Sequence, residues 1–90
     1  MCTYSTERAR IEGSGKGAEG WFDVTEVLAY FDHPYHSHSE HTLNLDFVNS
    51  SHGPAARVAV ELTAESAREL VRCIEAALQA AGPLAATAGG

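Results

Sequence analysis

The chain has 90 residues, 44% hydrophobic and 20% charged, which suits one globular domain and leaves no room for a second core. Its formal charge is −6, and its six Lys and Arg are scattered, so it lacks the cationic footprint that nucleic acid or an anionic membrane requires. No apolar run approaches the roughly 20 residues of a spanning helix. The opening stretch Met1-Cys2-Thr3-Tyr4-Ser5-Thr6-Glu7-Arg8 is polar, without the apolar core of a signal peptide, so a cytoplasmic setting is expected. In that setting a disulfide between Cys2 and Cys73 is not expected, and the Asn49-Ser50-Ser51 sequon has no role.

Residues 3–12 alternate loosely through Thr3, Tyr4, Thr6 and Ile11, predicting a first strand. The run Gly13-Ser14-Gly15-Lys16-Gly17 then predicts a turn. It lacks the spacing and Lys-Ser/Thr ending of a phosphate-binding loop. Residues 21–31, rich in aromatic and β-branched types, predict a longer second strand. Phe22, Val24, Leu28 and Tyr30 share one of its faces, and Trp21, Val27, Ala29 and Phe31 share the other. Apolar residues on both faces imply that a second subunit covers one of them, so a homo-oligomer, most simply a homodimer, is expected.

The clearest alternation follows. Leu43, Leu45 and Phe47 oppose Thr42, Asn44 and Asp46; after a turn-rich stretch containing Gly53-Pro54, Val58, Val60 and Leu62 oppose Arg57, Ala59 and Glu61. Both are half-buried strands by this pattern. Thr42, Asn44 and Asp46 are accounted for by a solvated sheet face, although they could also line a polar pocket. Thr63 is an N-cap candidate, with Glu65 in the first turn. Ala67, Leu70, Val71, Ile74, Ala77, Leu78 and Ala81 then recur at helical spacing, with Cys73 flanking them as a packing residue, until Gly82-Pro83. The expected fold is α+β: a four-stranded antiparallel meander (β-β-β-β-α) with one C-terminal helix packed on one face. Residues 1–82 form the domain and residues 83–90 a flexible tail.

Between the second and third strands lies the densest chemistry. Four of the five histidines fall in His33-Pro34-Tyr35-His36-Ser37-His38-Ser39-Glu40-His41, directly after Asp32. Imidazole is the commonest metal ligand and titrates near neutrality. His36, His38 and Glu40 are two apart and project from one side of an extended segment. His41 is in phase with Leu43, at the rim of the apolar face. A meander places Cys2, Tyr30, the 32–41 loop and the start of the helix at one end of the sheet, and sends Lys16 and His52 to the other.

His33, His36, His38 and His41, with Asp32 or Glu40, are therefore candidate ligands for a divalent transition metal: Zn, Fe, Ni or Cu. For acid–base catalysis the candidates are His33, His41 and Glu40, with Cys2 as an accessory thiol or ligand and Tyr30 as a wall. A small-molecule substrate would bind between subunits. The alternative is a non-enzymatic binding or assembly module with a pH- or metal-responsive histidine interface. The plainest reading is a solvated, Ser-interleaved loop that binds metal only adventitiously.

Met1-Cys2-Thr3-Tyr4, the Gly13–Gly17 run with Gly20-Trp21-Phe22, Asp32-His33-Pro34, Glu40-His41-Thr42-Leu43-Asn44 and Gly53-Pro54-Ala55-Ala56-Arg57-Val58 together resemble a family of short actinobacterial proteins of unknown function. The resemblance spans nearly the whole chain except the tail. It implies a bacterial cytosolic origin and carries no activity, cofactor or catalytic residue.

Overall fold

Side chains that alternate apolar and polar along extended segments pair into a sheet, and the alanine- and leucine-rich segment after them coils into a helix. The computed structural model describes residues 5–32 and 41–88. Its strands are β1 Glu7–Gly17, β2 Gly20–Asp32, β3 Thr42–Val48 and β4 Arg57–Leu62, followed by helices α1 Ala64–Ala81 and α2 Pro83–Ala88. The strands lie in the order β1-β2-β3-β4 and every neighbouring pair is antiparallel, which is the expected meander.

Register sorts the side chains into two faces. Phe31, Leu43 and Leu62 form one rung of the apolar face, Ala29, Leu45 and Val60 the next, and Val27, Phe47 and Val58 the third. On the opposite face Tyr30 and Glu61 flank Asn44, while Leu28 and Ala59 flank Asp46. A one-residue slip would exchange these faces, so the apolar set fixes the register.

The glycine run is not the turn. It lies inside β1, past a register shift between Arg10 and Gly13, and the turn is Ala18-Glu19. Among the described residues no non-glycine residue has positive φ, so a hairpin turn that needs it at both central positions is excluded at Ala18-Glu19; Gly20, at φ +112, corrects the twist instead. The glycines serve close approach. A Cβ at Gly17 would lie 3.1 Å from both Phe22 Cε1 and the Ala55 carbonyl oxygen, and 3.3 Å from the Arg57 carbonyl oxygen. One at Gly15 would lie 3.0 Å from Val24 Cγ2 and 3.5 Å from Val58 Cγ2. The hairpin thus curls onto the start of β4. Val24, on one of the two β2 faces of which a second subunit was expected to cover one, is buried within this bend of the single chain.

Asn49 holds the β3–β4 connection to β2. Its side-chain oxygen accepts from Ser51 N–H (3.0 Å), capping the 3-10 turn Ser50–His52, and its Nδ2 donates to the Asp23 carbonyl (2.9 Å). Its main-chain N–H donates to the Ala56 carbonyl (3.1 Å), closing the loop. Asn49 is buried, so these bonds answer the desolvation of its amide.

Thr63 caps α1 by accepting from Ser66 N–H (3.1 Å), and Gly82, at φ +58, ends it. Pro83 then suits a first helical position, and Leu84-Ala85-Ala86-Thr87-Ala88 are mostly strong helix formers. Part of the segment expected as a flexible tail is therefore the short helix α2. The contact between α1 and the sheet is much narrower than a helix packed across one face. Ala64 and Ala67 are half-buried, while every residue from 68 to 81 is exposed, including Cys73, which was expected to pack. Val24 and Ala56 are the buried apolar residues among those described.

Gly17→Ala is expected to destabilise the fold by about 1–3 kcal/mol through overpacking against main-chain oxygens. Gly13→Ala, with nothing within 4 Å of its new Cβ, should be neutral or stabilising by up to about 1 kcal/mol. Urea midpoints of the two variants check the contrast; equal losses would mean that the glycine run acts through flexibility alone.

Candidate functional site

Pairing of Asp32 with Thr42 makes Asp32 the last residue of β2 and places His41 immediately before β3. His41 is half-buried and stacks on Phe31, with ring centroids 5.8 Å apart and planes 13° from parallel. Its expected position at the rim of the apolar face matches this contact. Of the sequence-derived candidates, the structure brings Asp32 and His41 to this edge. Cys2, His33, His36, His38 and Glu40 lie outside the described residues. Among the described residues, no cluster of three His, Cys, Asp or Glu side chains is arranged to hold a metal.

The start of α1 shares this end. Phe31 and Leu43 from the sheet, with Ala64, Ala67 and Arg68 from the helix, line a mainly apolar hollow of about 330 Å³. His52 is exposed at the far end, where a cavity of about 420 Å³ lies between the β1–β2 turn and the β3–β4 connection, lined by Trp21, Phe22, Asp23 and His52 among others. His52 thus lies at the opposite end of the sheet from Asp32 and His41, as the meander predicts.

The opposite sheet face departs from the solvated strip expected of Thr42, Asn44 and Asp46. Thr42 is fully buried and Asn44 is 3% exposed. Thr42 Oγ1 donates to Asn44 Oδ1 at 2.7 Å. The amide nitrogen of Asn44 is buried with no hydrogen-bond partner among the described residues. A buried donor left unmet costs about 1–3 kcal/mol. Further along the same face, Tyr30 OH donates to Asp46 Oδ2 (3.3 Å) and Arg57 Nη2 donates to Asp46 Oδ1 (2.7 Å). These are diagonal cross-strand contacts. Both oxygens of a largely buried carboxylate are thereby engaged, which fixes Tyr30 as part of the wall beside Asn44. Sequence pattern alone could not separate this buried polar strip from a wet one, because both show the same alternation opposite an apolar face.

The family model for DUF6295, described as a family of unknown function, matches residues 1–87. The chain belongs to that family. No curated protein and no solved structure matches it. Membership in DUF6295 covers all four strands and α1, so the histidine-rich connection is part of the region shared with the family model. No helix among the described residues is long and apolar enough to cross a membrane.

Thr42→Val keeps the shape of the side chain and removes its hydroxyl, leaving Asn44 Oδ1 without this donor. The expected loss is about 1–3 kcal/mol, against about 1 kcal/mol or less for Tyr30→Phe, where Arg57 still holds Asp46. Chemical denaturation of both variants checks the order; an unchanged midpoint for Thr42→Val would show that this strip is effectively solvated.

Proposed function

We propose that this is a small bacterial, cytoplasmic, self-associating protein whose histidine-rich connection, residues 32–41, forms a transition-metal or proton-handling site beside the Thr42–Asn44 strip. Actinobacterial origin belongs to the same reading, on the motifs that carry the resemblance. In this site His33, His36, His38 and His41 supply imidazole nitrogens for Zn, Fe, Ni or Cu, or act as acid–base groups. Asp32 or Glu40 supplies a carboxylate that completes the coordination or orients an imidazole, and Cys2 is the accessory thiol.

The observation that carries this reading is the buried Asn44 amide nitrogen with no acceptor among the described residues, on the rung next to Asp32 and Thr42. A buried donor of that kind is rare in folded proteins and marks a place where water or a ligand oxygen binds. A cation would be repelled by an amide N–H, so Asn44 suits an oxygen held near the metal or the histidines, such as water or a small-molecule carbonyl or carboxylate. It is not itself a metal ligand.

A second reading, favoured by the exposure of α1, makes the histidines part of a pH- or metal-responsive assembly surface rather than a catalytic centre. An enzyme of this kind would keep an open coordination position and turn over a substrate. The assembly module would change oligomeric state with metal or near pH 6, close to the ordinary histidine pKa of about 6.5.

Elemental analysis of untagged protein purified without immobilised metal, beside a His36→Ala/His38→Ala variant, tests the site. About one equivalent of a single metal per chain, lost in the variant, is the expected result. A metal-free wild type whose melting temperature is unmoved by zinc, iron, nickel or copper would refute the metal reading and leave acid–base or interface roles for the histidines.

A further inference from the structure

In one chain the apolar stripe of α1 is exposed and the apolar face of the sheet is only half-buried. Ala67, Val71, Ile74, Leu78 and Ala81 follow one another at alternating spacings of four and three, so they form one seam along the helix. Val71 is 55% exposed, Ile74 50% and Leu78 55%. Across from them in composition, Leu43, Leu45, Phe47, Val58, Val60 and Leu62 are half-buried instead of buried. A helix of 18 residues is about 27 Å long, which spans the roughly 19 Å across four strands.

Two global quantities agree. The radius of gyration is 14.6 Å, where a folded chain of this length should have about 12 Å. The accessible surface is 6790 Å², against about 5,100 Å² for a folded monomer of 9.6 kDa. The excess is roughly 1,700 Å² per chain, and burying it in two copies would give an interface of roughly 3,400 Å², within the range of obligate homodimers. Half that excess would still make an interface of standard size.

We propose that the occupant of both surfaces is a second copy of this chain: α1 of each copy lies across the apolar sheet face of the other. This specifies the self-association proposed above. Pairing two helices alone leaves both sheet faces open, and pairing two sheet faces alone leaves both helices open. A reciprocal, two-fold exchange covers both with one kind of contact. The helix is already positioned for it, since its first turn meets the sheet at Phe31 and Leu43 and the rest stands clear. The hollow among Phe31, Leu43, Ala64, Ala67 and Arg68 then receives an apolar side chain of the partner. Because Phe31 carries the stacked His41, the interface also closes over one edge of the histidine-rich end.

Sedimentation equilibrium of metal-free protein should give twice 9.6 kDa for the wild type and the monomer mass for Val71→Glu/Ile74→Glu. Since that variant could lose its fold with its partner, a second measurement locates the contact. A photo-crosslinking residue at position 74, in a mixture of isotopically heavy and light chains, should give heavy–light adducts that join α1 to β3 or β4. A monomeric wild type, or adducts confined to α1–α1 or to single chains, would overturn the arrangement. Neither readout needs a metal, so failure of the metal reading and failure of this one are separately visible.

Discussion

Burial of the sheet's apolar face is the constraint on which the rest of this structure depends. A chain of 90 residues has few large apolar side chains, and here most of them line one face of β2, β3 and β4 and one stripe of α1. The hydrophobic term, about 25 cal/mol per Å² of apolar area removed from water, is gained only when such surfaces meet. Within the chain they meet over a single helical turn. Curling of the β1–β2 hairpin onto the start of β4 covers one end of the face, using Gly15 and Gly17 to bring backbone and side chains close. The remainder of the face stays half-buried, and the remainder of the helix is exposed.

The same constraint organises the chemistry-bearing end. Register is set by the apolar rungs, and once Phe31, Leu43 and Leu62 are aligned, Asp32 must meet Thr42 and Asn44 must sit between Tyr30 and Glu61. The polar strip is thus placed by packing on the face it does not share. Its burial then makes every hydrogen bond consequential, because an unmet amide in a low-dielectric setting is costly. Thr42 satisfies one atom of Asn44, and the other has no partner among the described residues.

Several elements were legible from residues alone, because their signals are local. Alternation in residues 42–48 and 57–62 announced β3 and β4, Thr63 announced the start of α1, and Gly82-Pro83 announced its end. The placement of His41 at the apolar rim followed from its phase with Leu43. Other features were not legible. Glycines spaced two apart read as a turn, yet two of them are strand positions pressed against Phe22, Val24 and β4; only a neighbour distant in sequence reveals that role. Asn49 read as one more loop residue, although its side chain bridges to a carbonyl 26 residues away.

By itself the sequence determined the strand and helix periodicities, hence a four-stranded meander with a helix after it, and it determined which residues crowd the β2–β3 connection. Periodicity does so because backbone geometry ties side-chain direction to position along the chain. Only the tertiary structure decided which apolar surfaces actually meet, that Thr42 and Asn44 are buried, and that α1 leaves the sheet after one turn. Those outcomes depend on curvature and on contacts between residues far apart in the chain, quantities that no local pattern encodes.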